Sequence, residues 1–167
     1  LQVESAKGEC NFGQHEIAFL YEDALTTCDN HVVYKTAAKE IAAQEGYALT
    51  FMAKYDEREG NSCHIHLSLR SKAGDAVCAG DGKHGFSPMM EHFLAGQIAC
   101  MEELTYFFAP NINSYKRYVP GSFAPTAIAW GSTIGPAPFA WSATVSRCGW
   151  RTECPVPTST RISPWRR

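Results

Sequence analysis

The sequence has no Cys-x-x-Cys pair, no long apolar run and no excess of basic charge, and each absence removes a class of protein. Its seven cysteines (Cys10, Cys28, Cys63, Cys78, Cys100, Cys148 and Cys154) are an odd number. Their spacing suits neither a disulfide framework nor a zinc ribbon, so reduced and mostly buried thiols are expected. The longest uncharged stretch, Tyr118 to Ser146, is interrupted by Pro120, Pro125, Pro136 and Pro138 and is too polar to be a membrane span. A formal charge of -2 with 19% charged residues gives no field of the kind nucleic acid requires. Neither a membrane nor a nucleic-acid partner is expected. Leu1 to Gly8 contains neither a basic leader nor an apolar core of a secretory signal, so the expected location is cytoplasmic. A start on Leu rather than Met is the start expected of a chain cut from something longer.

What is present is the material of one ordinary domain. A chain of 167 residues with 45% hydrophobic residues can bury about two thirds of its unfolded surface. Glu4 to Tyr21 reads as two strands joined by a Gly-Gln turn. Asp23 to Glu45 has helical periodicity, with Leu25, Val32, Val33, Ala37, Ile41 and Ala42 forming one apolar stripe and Gly46 as the stop. Residues 47–54 and 63–70 alternate as strands on either side of a charged loop. Lys72 to Gly85 reads as a surface loop or hairpin, and Ser87 to Phe108 as a second helix capped by Ser87 and Glu91. Asn111 to Gly131 is a loop rich in Pro and Gly. The composition then changes: Ser132 to Arg167 has no Lys or Asp and a single Glu, but five Pro, five Arg and three Trp, with no helical or strand periodicity. The expected division is therefore 1–131 as a folded domain and 132–167 as a poorly ordered tail.

Three clusters could carry chemistry: Glu9 and Glu16 with His15, the pair His64 and His66, and the run Asn113 to Arg117. On a strand His64 and His66 share a face, and oxygens from Glu9 and Glu16 could complete a divalent-metal site. Taken alone, H-x-H is a weak signal, and a solvated or core pair is the commoner outcome. A Lys-Arg pair in a Pro/Gly loop is usually solvated, although an Arg beside a metal is what phosphate chemistry needs.

The order of the motifs adds more. G-E-C-N-F-G-Q-H-E, then F-M-A-K, then G-N-S-C-H-I-H-L-S-L, then N-S-Y-K-R-Y-V-P-G-S-F-A-P resembles the glutamine synthetase catalytic domain, motif after motif. The resemblance implies an α+β fold, part of that catalytic domain, with an incomplete antiparallel sheet and packed helices. It implies a ligase that activates the γ-carboxylate of glutamate with ATP, as γ-glutamyl phosphate, and passes it to an amine, with Mg²⁺ or Mn²⁺ neutralising phosphoryl charge. Carried over by motif, Glu9 and Glu16 are implied ligands of the metal on the glutamate side, and His64 a ligand of the metal that holds the ATP phosphates. His66 and Ser68 fall on the nucleotide side, and Tyr21 on an adenine-packing aromatic. Gly60 falls where backbone passes close to glutamate, and Arg117 on an arginine that holds the glutamate carboxylate. The implied partners are glutamate, ATP and an amine, and intact relatives form homo-oligomeric rings.

Two departures bear on the amine. Phe123 stands where ammonia-using enzymes carry a Glu that closes the site, and Glu59 replaces the Asn that usually precedes the glutamate-site Gly. Both point to a bulkier amine, ethanolamine or a polyamine, and the resemblance is greatest to the γ-glutamyl-amide synthetases of actinobacteria. Ordinary glutamine formation from ammonia and a noncatalytic remnant or metal-binding fragment are the alternatives.

Beyond Trp130 and Gly131 the family's D-N-R, E-x-R and N-P-Y-L motifs are missing from the tail, yet they appear in another reading frame. With one base lost near Gly131, Ser132 to Trp141 back-reads as V-D-N-R-T-C-S-V-R-V, and the remainder recovers L-R-V-E-N-R and N-P-Y-L in order. A frameshifted tail is therefore expected, and with it a chain that lacks ligands and does not catalyse alone.

Overall fold

The computed structural model describes residues 1–122, 124, 126–131, 139–144, 147–154 and 160–164, with side chains described up to Trp130. The chain divides into two compact units, residues 1–61 with 156–167, and residues 62–155. Each unit contains strands from the segment expected to be a poorly ordered tail.

In the first unit the expected hairpin is present. Strands β1 (Val3–Gly8) and β2 (Gln14–Phe19) pair antiparallel, with Lys7 opposite Glu16 and Gly8 opposite His15. The connecting turn places Gly13 at φ 64°, a backbone conformation in which a Cβ is costly. Helix α1 (Ala24–Gln44) begins at Asp23, whose carboxylate accepts from the amides of Leu25 and Thr26 at 3.1 Å each, and the chain leaves it through Gly46 at φ 76°. Strand β3 (Tyr47–Thr50) follows, shorter than the alternation suggests. The sheet order is β1-β2-β8-β3, where β8 (Thr160–Pro164) runs antiparallel to both neighbours.

The inward face of α1 is not the predicted one. Of the predicted stripe, Leu25, Val32, Val33 and Ile41 are exposed, Ala37 is half-buried and Ala42 is buried, and the helix also buries Tyr34, which the stripe left out. Tyr34 sits edge-on between the Phe19 and Phe51 rings, at centroid distances of 4.9 and 5.7 Å. An aromatic buries more area per side chain than Val, so the face bearing Tyr34 outcompetes a narrower aliphatic stripe.

In the second unit β4 (Cys63–Leu67) pairs antiparallel with β7 (Arg147–Cys154), which pairs antiparallel with β6 (Phe139–Thr144); β5 (Trp130–Gly131) lies parallel to β6. Residues 72–85, expected as a surface loop or hairpin, are flanked and crossed by two isolated antiparallel bridges, Arg70–Ala76 and Ala79–Phe86. The expected second helix is two helices, α2 (Pro88–Ala99) and α3 (Met101–Phe108), broken at Cys100, where ψ opens to 7°. Ser87 caps α2 by accepting from the Met90 amide at 3.2 Å, with Pro88 at the first helical position. A one-turn helix, α4 (Ile112–Tyr115), lies inside the segment read as loop. The core gathers Cys78, Phe86, Met90, Leu94 and Met101, with Leu67, Val77, Phe93 and Leu104 packed around it. Of the five cysteines whose side chains are described, Cys63 and Cys78 are buried while Cys10, Cys28 and Cys100 are exposed, so the expectation of mostly buried thiols does not hold among them.

Candidate functional site

The β1–β2 hairpin gathers a charged cluster on one face. Strand alternation puts Lys7 and Glu9 on the same side, and the register sets Glu16 across from Lys7. The Lys7 ammonium lies 2.9 Å from Glu9 Oε1 and 3.5 Å from Glu16 Oε2. Partial burial pushes the Glu16 carboxyl above its ordinary value; a hydrogen bond with Glu9 adds to this, and the Lys7 charge opposes it. The Lys7 ammonium is in turn raised, first by its hydrogen bond to Glu9 and then by the Glu16 charge. Two carboxylates facing one another and sharing one cation are the hard oxygen donors that Mg²⁺ and Mn²⁺ prefer, so these residues fit one side of a divalent-cation site. Among the described residues no group of three or more His, Cys, Asp or Glu side chains is gathered to hold a metal.

Gly60 belongs to the same unit. Its carbonyl accepts a 3.0 Å hydrogen bond from Gln14 Nε2, so the segment expected to approach glutamate is tied to the turn between Glu9 and Glu16. Tyr21, two residues past β2, is 69% exposed.

The remaining expected residues lie in the second unit. His64 and His66 are on β4, opposite Glu153 and Arg151 in register; His64 is half-buried and His66 exposed, as is Ser68 just beyond the strand. Arg117 is 96% buried, given its relative exposure of 4%. Its guanidinium donates to the Ser122 carbonyl at 2.9 Å, to Ser122 Oγ at 3.2 Å and to Ser62 Oγ at 3.3 Å. A guanidinium buried this deeply requires such acceptors, and they hold it close in space to the residue just before β4. Phe123 lies outside the described residues.

Lys7, Asn11, Gln14 and Asn61 were not legible as site residues. Lys7 had a signal in the K-x-E spacing and hairpin register. The other three are ordinary polar residues until the contacts between the hairpin and residues 51–62 are known.

A family model described as glutamine synthetase, catalytic domain, matches residues 1–134. The chain belongs to this family. Among curated relatives, γ-glutamylethanolamide synthetase GlnA4 of Streptomyces coelicolor is 67% identical over 131 residues, covering 78% of this chain and 28% of that protein. Glutamate–isopropylamine ligase of a Pseudomonas species is 41% identical, covering 77% of this chain and 28% of the relative. The glutamine synthetase-family chain thus spans about 28% of the length of the curated relatives that it matches. Among solved structures, one titled "Apo GmaS without ligand" superposes with a TM-score of 0.79 at 32% identity, covering 93% of this chain and 35% of the other. Plasmodium falciparum glutamine synthetase gives a TM-score of 0.82 at 24% identity, over 93% of this chain and 32% of the other, a likeness of fold. The mixed α+β architecture, largely antiparallel with packed helices, is that of part of the glutamine synthetase fold. Enzymes of this family use ATP and divalent metal ions. No helix among the described residues is long and apolar enough to cross a membrane.

Proposed function

We propose that the chain is a catalytic-domain portion of a cytoplasmic, ATP-dependent ligase that forms γ-glutamyl phosphate from glutamate and transfers the γ-glutamyl group to an amine, with ethanolamine or a polyamine favoured over ammonia. The observation that carries this reading is the facing pair Glu9 and Glu16 in a chain 67% identical to a γ-glutamylethanolamide synthetase. Relatives named for isopropylamine and putrescine support an amine larger than ammonia. So does an apolar ring at Phe123 in place of a carboxylate that would attract ammonium. Glutamine formation from ammonia is the alternative, favoured by the glutamine synthetases at about 38 to 42% identity.

In this reading Glu9 and Glu16 would hold one Mg²⁺ or Mn²⁺ on the glutamate side and His64 would be a ligand of another that holds the ATP phosphates, each supplying positive charge against phosphoryl oxygens. Arg117 supplies positive charge toward the glutamate carboxylate and Gly60 admits the substrate against bare backbone. Tyr21 stacks on adenine, and His66 and Ser68 bond the nucleotide. The family match ends at residue 134, close to the change in composition, which supports a lost base near Gly131. Residues 132–167 are then an out-of-frame tail, and the chain by itself is a noncatalytic piece because the ligands of D-N-R and E-x-R are replaced.

A frame-restored, full-length version should turn over ethanolamine or a polyamine at least about tenfold better than ammonium, as a polar-for-apolar change in a pocket warrants. Preference for ammonium would overturn the reading of Phe123, and an intact gene that encodes S-T-I-G-P-A-P in frame would overturn the frameshift.

A further inference from the structure

Three of the most deeply buried polar side chains in the first unit form one network. Asn11, Gln14 and Asn61 are 4%, 5% and 1% exposed. Gln14, the first residue of β2, lies between Glu9 and Glu16 in sequence: its carbonyl accepts from the Glu9 amide at 2.9 Å, and its Oε1 accepts from the Asn11 amide at 3.0 Å. Its Nε2 donates outward to the Gly60 carbonyl at 3.0 Å and to Asn61 Oδ1 at 2.7 Å. Asn61 passes the connection on, donating from Nδ2 to the Met52 carbonyl at 2.7 Å and from its amide to the Ala53 carbonyl at 2.8 Å. Asn11 holds the far end of the same loop, donating to the Glu59 carbonyl at 2.9 Å and to Asp56 Oδ1 at 3.1 Å.

Residues 51–62 contain no helix or strand, so the conformation of this loop is fixed by these bonds rather than by a regular ladder. The carbonyls of Glu59 and Gly60 are held by the side chains of Asn11 and Gln14, which lie between the two carboxylates in sequence. A buried amide cannot let go of one partner without leaving another unsatisfied, so turn and loop move as one body. If Glu9 and Glu16 draw together on a doubly charged ion in place of the Lys7 ammonium, the turn that joins them must adjust. Gln14 carries that adjustment to Gly60.

Resting on the proposed ligase reading, we infer that Gln14, supported by Asn11 and Asn61, is a positioning residue: it couples divalent-cation binding at Glu9 and Glu16 to the ordering of the Gly60 segment, which takes the amino-acid substrate. The coupling is reciprocal, so a substrate held at Gly60 tightens cation binding by the same factor.

The test uses the 167-residue chain, with Mn²⁺ as the probe and amide hydrogen exchange over residues 54–61 as the readout. In the wild type, saturating Mn²⁺ should slow exchange in this segment by roughly fivefold or more, the lower end of ordinary coupling. Gln14→Met keeps the volume and charge but removes both donors. It should bind Mn²⁺ within about threefold of wild type and lose the slowing, whereas a purely structural Gln14 would raise exchange equally with and without Mn²⁺. Should Gln14→Met fail to fold by circular dichroism, Asn11→Ser decides: loss of most of the slowing supports the coupling, and full slowing overturns it. Mn²⁺ binding by the wild type with no change in residues 54–61 overturns the coupling and leaves the metal site standing. Equal Mn²⁺ binding by wild type and Glu9→Gln removes the metal site itself, and the inference with it.

Discussion

Lys7 places an ammonium within reach of two carboxylates that repel each other, and the balance among the three groups sets how the hairpin responds to pH. Glu16 is raised above its ordinary value of 4.5, chiefly by burial. Between that value and its raised one, the folded chain binds more protons than the unfolded chain, so the contribution of Glu16 to stability falls as pH rises through the window. Cation binding needs the carboxylate, so Mn²⁺ affinity should climb over that same window, above where an isolated carboxylate would titrate. Lys7→Met removes the charge that opposes the shift and should move the climb to higher pH. A Mn²⁺ titration repeated from pH 4 to 7, at steps of about half a unit, reads both effects. An unchanged midpoint in the variant would show that the ammonium does not act on Glu16.

His31 shows the opposite sign at the same scale. Half-buried on α1, it is lowered from its ordinary value of 6.5, first by desolvation and then by Lys35. Below pH 6.5 the unfolded chain takes the proton more readily, so this group costs stability as pH falls. His31→Gln should flatten the loss of thermal stability between about pH 6.5 and 5; an unchanged slope would assign that loss to other groups.

At the level of elements, periodicity located helices better than it located their buried faces. The cap at Ser87 and the stop at Gly46 act within four residues of themselves, and both were readable from the sequence, while Asp23, read as the first residue of the helix, is its cap. The inward face of α1 depends on Phe19 and Phe51, which lie on either side of the helix in sequence. The contrast can be measured. Met90 is fully buried in the core of the second unit, and Met90→Ala should cost about 2–5 kcal/mol in chemical unfolding. Val33 is equally apolar but exposed on α1, and Val33→Ala should fall within about 0.5 kcal/mol of wild type. A large loss at Val33 would mean that the predicted stripe is buried after all.

At the scale of the whole molecule, the segment past Gly131 supplies strands that its side-chain pattern does not announce. β8 lies between β2 and β3, and β7 lies beside β4. Sheet edges need N–H and C=O partners whatever side chains accompany them, so a segment without alternation can still satisfy a ladder. A chain ended after Gly131 would leave β2, β3 and β4 each with a bare edge, and should scatter light more strongly at equal concentration than the full chain. Equal solubility of the two would show that those edges have no need of the tail.

The local order of motifs, the hairpin, the helix caps and the kinship with glutamine synthetases were all determined by the sequence, because each depends on residues adjacent in the chain or matched one by one. Only the tertiary structure decided that Tyr34 rather than Val33 faces inward, that Lys7 joins the carboxylate pair, and that Gln14 and Asn61 clamp Gly60. Those outcomes depend on which distant groups exclude water together, and a burial energy shared between residues far apart in sequence leaves no local periodicity to read.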